Sequence, residues 1–590
     1  MLSEMATRSL GSIYTPPDFA DFLTRWAIRS PSCSVLDLGL GEGAFVFAAY
    51  QLMLELGANP KDAQNQLYGA EVDQLTFSRF QKLAESIQAR FPNLHNASFF
   101  EISFPHVDAI VGNPPYVRRM YMEEVDHIRQ SVVEKNTLIR ERSLSRLTDL
   151  YVYFLMHALP FLKPGGRLAV ITADSWLNTS YGVEFKEYLV QNFEIEHLIC
   201  LDRPIFDEAQ VKPVMILASK KESANTNYHV DFVRVKNGLP VNMLQQFLSK
   251  PDANNVDIVH FGVKASALDA GTPWGIHFKA PEIYQQLAEH RLMTPIANLA
   301  QTRIGLQTLA KDFFVLTPEQ AKVAQIEKRF LEPLAQSSKY FSEPTLESDT
   351  LPNSYVFHCS KTHAELRNTH ALKYILKAES SRVQVRGKGI TVVGYQNKDR
   401  IKHASRPIWY DLKTSLERRG RAQILIPRLL YRTFMVIWNK AGFVPGELFI
   451  EFIPLPETKA DVEVYLAILT SSITEIMLRT SAQVYGGGTY NIKPGHIKNV
   501  PILDVRLLTK QQKQTLKRAY LQYLTDKQHD RAIIDSAMSE ILDLDNAVQQ
   551  KLKEVLDDLI TIATSSKKPG HSARKPSKSD SLSSMSLTHF

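Results

Sequence analysis

Asp108-Ala109-Ile110-Val111-Gly112-Asn113-Pro114-Pro115-Tyr116 is a short apolar run that breaks into Asn-Pro-Pro-Tyr. Ile110 and Val111 read as the end of a buried strand, and the two prolines forbid its continuation because neither can donate to a sheet ladder. Asn113 therefore falls where the carboxyl end of a parallel strand opens into a loop, the place where open α/β sheets hold ligands. Outward from this stretch, apolar strand-like runs alternate with amphipathic ones up to about residue 220, the pattern of an α/β, doubly wound parallel sheet. The strand candidates are Ser34–Leu38, Leu67–Val72, Ala97–Phe100, Asp108–Gly112, Arg167–Thr172, Ile195–Leu201 and Pro213–Ala218. Lys163-Pro164-Gly165-Gly166 predicts a tight turn feeding the fifth of these, and Tyr151–Leu162 before it has helical spacing.

The groups of the tetrapeptide suggest a chemistry. The prolines fix φ and hold the preceding residue extended, which aims the Asn113 side-chain oxygen and the Pro114 carbonyl in set directions. A planar NH2 on a ring or carbonyl is a weak nucleophile, since its lone pair is delocalised. Accepting both of its hydrogens concentrates charge on the nitrogen as it attacks. Tyr116 offers a flat face for a planar substrate, and no titrating base is needed. Taken alone, a proline-rich turn with a packed tyrosine explains the same residues.

At 590 residues the chain is too long for one core and predicts two or three domains. No window is apolar enough to span a membrane, and the N-terminus lacks a basic segment followed by a hydrophobic core, so the expected location is the cytoplasm, with no membrane partner. Cys33, Cys200 and Cys359 stand far apart without a second ligand at metal spacing, and no metal is expected. A net charge of +7 permits a polyanionic partner without requiring one. Beyond about residue 250 the βα alternation ends. The expected division is residues 1–245, 246–509, a helical segment 510–564 and a Ser/Lys/Pro-rich, disordered tail 565–590.

A second constellation lies upstream. Val35-Leu36-Asp37-Leu38-Gly39-Leu40-Gly41-Glu42-Gly43 is a strand followed by glycines at alternate positions, where the backbone can turn sharply and approach a ligand closely. Gly69-Ala70-Glu71-Val72-Asp73 places an acid at the end of the next strand, able to accept from both hydroxyls of a ribose. Taken alone, a structural turn and a solvated acid account for these residues too.

With these residues the first 220 positions resemble a class I (Rossmann-like) S-adenosylmethionine-dependent methyltransferase, specifically the gamma class of DNA adenine-N6 methyltransferases of type II restriction–modification systems. Tyr14-Thr15-Pro16-Pro17, the glycine loop, the ribose acid and Asn-Pro-Pro-Tyr stand in the family's order. The resemblance implies that Thr15 holds the methionine end of S-adenosyl-L-methionine, that Asp37 with Gly39, Gly41 and Gly43 holds its amino-acid moiety, and that Glu71 holds the ribose. It makes Asn113, Pro114, Pro115 and Tyr116 the catalytic motif, with Asn113 also beside the cofactor. Phe206, in Arg203-Pro204-Ile205-Phe206, matches the aromatic residue that stacks on the extruded base. Where the family has an Asp-Phe-type pair against the cofactor's adenine, this chain has Phe100-Glu101-Ile102, which makes Glu101 the candidate. Asp149-Leu150-Tyr151 and Ala173-Asp174-Ser175-Trp176-Leu177 also match family segments, and most of their side chains are expected to pack.

The resemblance further implies base flipping and a mixed α+β target-recognition domain, followed by C-terminal helices, that binds double-stranded DNA at a specific adenine-containing site. Arg303-Ile304-Gly305-Leu306-Gln307-Thr308 and the glycine-rich stretch Val484–Gly495 resemble the opening and closing parts of that domain. Arginines are the expected base readers, and residues 375–435 carry a basic cluster, Arg382, Arg386, Lys388, Arg418, Arg419, Arg421, Arg428 and Arg432, which taken alone is also explained as a solvated face. Arg118, Arg119, Arg129, Arg140, Arg142 and Arg146 are expected on phosphates near the flipped base. Two other readings stay open: methylation of a protein glutamine amide or an RNA amino group, and a catalytically silent DNA-binding methyltransferase fold. The Thr-Pro-Pro segment begins almost at the first residue and leaves no room for a fused nuclease, so a separate cognate restriction endonuclease is the expected partner, if there is one.

Overall fold

The computed structural model describes residues 15–116, 130, 134 and 148–565, with interruptions at 180, 203–211, 224–226, 237–239, 250–256, 280, 386–389, 405, 407, 418–420 and 486–488. The chain forms two compact units, one reaching Pro281 and the other spanning Glu282–Thr564.

The first unit is built on a nine-stranded sheet: β1 (Val35–Asp37), β2 (Leu67–Ala70), β3 (Leu94–His95), β4 (Val107–Gly112), β5 (Leu162–Ala173), β6 (Phe193–Leu201), β7 (Pro213–Lys220), β8 (His229–Val235) and β9 (Ile258–Lys264). Their spatial order is β3-β2-β1-β4-β5-β7-β6-β8-β9. Strands β3 through β5 run parallel, but β7 is antiparallel to both β5 and β6, and β9 to β8. The sheet is thus mixed rather than wholly parallel. Its central strands are buried on both faces, where continuous apolar runs belong. One layer gathers Ile110, Tyr151, Leu168, Trp176 and Phe185; the other gathers Phe22, Phe45, Val111, Ile171 and Met215.

Two further expectations about this unit are corrected. Ala97–Phe100 is not a strand: β3 lies earlier, and Phe99–Glu101 is a 3-10 turn. Phe99 and Phe100 are both buried, packing with Phe154 and His157, which the strict in-out alternation of a half-exposed strand would not allow. The sheet also runs past residue 245, because β9 pairs along all seven residues of β8. The turn at Lys163–Gly166 is present as an excursion in β5. Val107 faces Leu162 and Ala109 faces Arg167, so four residues bulge opposite Asp108, and Lys163 Nζ bonds Asp108 Oδ1 at 2.7 Å.

The second unit is mixed α and β, as expected for residues past 250, and carries a five-stranded sheet of Ala300–Ile304, Phe449–Pro454, Ile424–Pro427, Ile437–Asn439 and Thr345–Leu346. The helices Lys510–Thr525, Ala532–Ile541 and Asn546–Ser565 pack into it rather than standing apart. Lys513 pairs with Asp461 at 2.8 Å and Arg531 with Glu475 at 2.6 Å. The expected tail falls outside the described residues from 566 onward.

Candidate active site

Strand β1 lies between β2 and β4 with all three parallel, and Asp37 is level with Gly69 and Val111. That register brings three separate sequence motifs to one edge of the sheet. The loop after β1 is held there by Leu38 N–H on Val111 O at 3.0 Å and Leu40 N–H on Ala70 O at 3.4 Å. Two glycines are required by the close approach. Gly112 has φ +142, and a Cβ on it would stand 2.8 Å from Leu38 N. Gly43 has φ +93 and caps the helix Ala44–Glu55. A Cβ at Gly39 would meet Asn113 O at 3.4 Å and Pro114 Cα at 3.8 Å, so the glycine loop and Asn-Pro-Pro-Tyr are neighbours.

Asn113 is oriented by Thr15. The Asn113 Nδ2 donates to Thr15 Oγ1 at 3.1 Å, across 98 residues of sequence, which turns the amide so that its oxygen is the acceptor it presents elsewhere. Thr15 directly precedes Pro16 and the helix Pro17–Ala27, whose Phe22 and Leu23 are buried against the sheet.

The two acids behave differently. Asp37 is buried; its Oδ1 accepts the Gly39 N–H at 3.0 Å, and its Oδ2 has no hydrogen-bond partner among the described residues. Burial pushes its carboxyl up to about 7, opposed by the Gly39 N–H and helped by the nearby Glu71. Such an orphaned acceptor suits a cationic ligand group. Glu71 is held by two backbone N–H groups, Asp73 at 2.8 Å and Gly41 at 3.1 Å, with burial raising its carboxyl. This clamp ties the acid to the glycine loop and fixes the direction of both carboxylate oxygens.

Tyr116 packs edge-on against Tyr151, centroids 6.0 Å apart at 76°. Behind that contact is a buried hydroxyl network that the sequence did not disclose. Tyr151 OH lies 3.2 Å from Ser175 Oγ and 3.1 Å from Tyr181 OH, and Tyr181 OH donates to Asp149 Oδ2 at 2.7 Å. Asp149, Tyr151 and Ser175 stand in stretches where most side chains are expected to pack; here their polar groups also link Tyr151, which packs against Tyr116, into the hydroxyl network. Tyr181 carries no motif signal, and only its fold neighbourhood reveals it.

Other predicted residues are placed less centrally. Glu101 is exposed at the end of its 3-10 turn, and no hydrogen bond among the described residues joins it to the glycine loop. Phe206 lies outside the described residues, as do Arg118, Arg119, Arg129, Arg140, Arg142, Arg146, Arg386, Lys388, Arg418 and Arg419. Arg421 is paired with Glu332, and Arg303 with the buried Glu451 at 2.8 Å. Arg382 and Arg432 are exposed. Among the described residues no His/Cys/Asp/Glu group could hold a metal, and no helix is long and apolar enough to cross a membrane.

A sheet of this topology whose strand ends gather a glycine loop, two acids and Asn-Pro-Pro-Tyr defines a class I methyltransferase. Comparison with known proteins narrows the class. Residues 38–206 match the family described as Eco57I restriction-modification methylase, and residues 276–542 the C-terminal domain of the type II methyltransferase M.Eco57I. Type II methyltransferase M.AccI of Acinetobacter calcoaceticus is 22% identical over 90% of this chain and 94% of its own length. M.BstVI of Geobacillus stearothermophilus is 22% identical over 94% and 100% respectively. The type IIL restriction-modification enzyme MmeI, solved in complex with DNA, shares the fold at a TM-score of 0.57 and 12% identity, covering 90% of this chain and 73% of that one. The chain belongs with the type II restriction–modification methyltransferases.

Proposed function

We propose that the chain methylates N6 of an adenine flipped out of a specific double-stranded DNA site, with S-adenosyl-L-methionine as donor. The observation that carries this reading is the junction of Asn113 with Thr15 and with the glycine loop, which supports one pocket serving both methyl donor and acceptor amine.

When bound, the cofactor supplies an activated methyl on a sulfonium. The residues then have separate tasks. Asp37 accepts from the cationic amino group through its orphaned oxygen, and Glu71 accepts from the ribose hydroxyls. Asn113 Oδ1 and the Pro114 carbonyl accept the two hydrogens of the adenine amine, which localises the nitrogen lone pair and points it at the methyl carbon. Holding donor and acceptor in line supplies roughly 7–11 kcal/mol of barrier lowering. Tyr116, backed by Tyr151, stacks on the flipped base, with Phe206 expected on its opposite face. Flipping costs a few kcal/mol, which stacking offsets. After transfer the methylated amine, now cationic, releases one of its two original protons to solvent.

Adenine is favoured over a glutamine amide or an RNA base by the second unit, which relates over residues 276–542 to the C-terminal domain of a type II methyltransferase. In this reading the enzyme works in the cytoplasm of a restriction–modification host, beside a separate endonuclease if one exists. Expression in a bacterial host free of DNA methylation, followed by sequencing for modified bases, tests it. N6-methyladenine in one short motif is the expected result; unmodified DNA together with methylated RNA or protein would overturn it.

A further inference from the structure

Among the described residues of the second unit, Arg382–Val385 and Ile390–Val393 form an antiparallel ribbon that pairs with no third strand. Its base is fastened: Gly394 N–H donates to Ser381 O at 2.7 Å, Asn397 Nδ2 to Val393 O at 2.7 Å, and Gln396 Nε2 to Glu379 O at 3.2 Å. The helix His370–Ser380 leading into it is anchored in the core through Ala371, Ile375 and Ala378.

The faces of the ribbon differ. Val383 faces Val392 across the strands, one buried and the other half-buried. On the other face Arg382 stands opposite Val393, and Gln384 opposite Thr391, all four exposed. Val393 is 56% exposed, an unusual place for an aliphatic side chain inside a strand. From Ser380 to Lys398 the sequence has four basic residues and no acidic one.

We propose that this ribbon enters the major groove of the target DNA and that Arg382, Gln384, Thr391 and Val393 read base edges there; this rests on the reading of the chain as a DNA methyltransferase. A major groove about 12 Å wide admits a two-stranded ribbon. Arg382 and Gln384 are two positions apart on one strand, roughly 7 Å, which is about two base-pair steps at 3.4 Å each. The four side chains form a reading set: a guanidinium for guanine O6 and N7, an amide for adenine N6 and N7, and the methyls of Thr391 and Val393 for a thymine methyl. The uniformly basic sequence suits the polyanion, and the exposed valine gains an apolar partner it otherwise lacks.

Methylome sequencing of Gln384→Ala and Arg382→Ala, beside binding measured over a salt series, tests the assignment. Because glutamine is neutral, Gln384→Ala is expected to relax one position of the recognition motif, with discrimination there falling by about fivefold to 150-fold, and to leave the salt dependence unchanged. Arg382→Ala is expected to relax a neighbouring position. Gln384→Glu supplies a second probe whose carboxylate accepts from cytosine N4, so its preference should move toward cytosine at the same position. A wild-type motif in all three variants overturns the proposal, whether turnover is normal or uniformly reduced, since uniform loss marks a backbone contact. A wild-type enzyme that modifies no DNA would instead sink the underlying assignment.

Discussion

The proposed pairing of Asp37 with the cofactor's amino group should make cofactor binding pH-dependent, with a size that follows from the burial of the carboxyl. Its folded carboxyl titrates at about 7 against 3.8 when unburied, which corresponds to roughly 4 kcal/mol of differential interaction. The sign is set by which state holds the proton. Between these two values the folded apoenzyme keeps the proton and the unfolded chain has lost it, so the contribution of Asp37 to apoenzyme stability is fully present below about pH 4, declines as pH rises through about 7 and is then lost. A cationic amino group at the orphaned Oδ2 needs the ionised form. At pH 6 only about one carboxyl in eleven is ionised, against about three in four at pH 7.5; with the first loss of charge from the ligand's α-amino group included, the dissociation constant should tighten about fivefold to sixfold over that interval. Above about pH 8 the ligand's α-amino group loses its own charge and affinity falls again. Isothermal titration with S-adenosyl-L-methionine at pH 6.0, 6.5, 7.0 and 7.5, in buffers of different ionisation enthalpy, reads both the affinity and the proton released. Asp37→Asn should bind more weakly but with a flat profile. A flat wild-type profile, or an Asp37→Asn slope equal to the wild type, would refute the pairing of this carboxylate with the ligand's cation.

Asn113→Ala removes one of the two acceptors proposed for the amine, and turnover should fall by about 10²–10³-fold, in line with losing one preorganised electrostatic contact. The dissociation constant of the cofactor should stay within about threefold; single-turnover methylation and equilibrium dialysis separate the two, and turnover near wild type would remove Asn113 from the chemistry. Tyr151→Phe keeps the ring under Tyr116 while disconnecting the hydroxyl network, and should cost about 1–3 kcal/mol of stability from the stranded buried groups with turnover within a few-fold. Tyr151→Ala removes the platform as well, so the fluorescence of 2-aminopurine at the target position should report impaired capture of the flipped base, which a purely stabilising role would leave unchanged once both variants are assayed below their melting temperatures.

The legible parts of the site were those governed by backbone chemistry. Two prolines ended β4 at Gly112, alternate glycines marked the turn after β1, and an acid one residue beyond β2 took its expected place. Each reports a local constraint that sequence spacing can carry. The bond from Asn113 to Thr15 joins the residue just past β4 to the segment that leads into the helix Pro17–Ala27, and no local pattern encodes it. The Asp149-Tyr151-Ser175-Tyr181 network was hidden for the opposite reason: buried tyrosines read as core until their hydroxyl partners are known. The false strand at Ala97–Phe100 arose because aromatic residues favour strands on average, whereas here consecutive phenylalanines fill one aromatic cluster.

Counting arginines could not separate recognition from scaffolding, and the second unit shows why. Arg479 and Glu475 are buried, 2.6 Å apart one helical turn from each other, and the other Glu475 oxygen accepts from Arg531 at 2.6 Å. Arg479 also donates to Tyr431 O at 2.6 Å and lies over the ring of Tyr490. Removing one partner of such a pair leaves a buried charge uncompensated, so Arg479→Ala should destabilise the unit by about 3–5 kcal/mol. Its DNA binding should fall at every site alike, together with a lowered urea midpoint for the second unit, and should recover at low temperature without any change of motif. Arg382 stands on an exposed ribbon, and its truncation should leave the urea midpoint untouched while altering which sequences are modified. If Arg479→Ala melted at the wild-type midpoint and lost only one base preference, burial would be a poor guide to which arginines this enzyme spends on DNA, and the division between scaffold and reader would have to be redrawn from the nucleic-acid side.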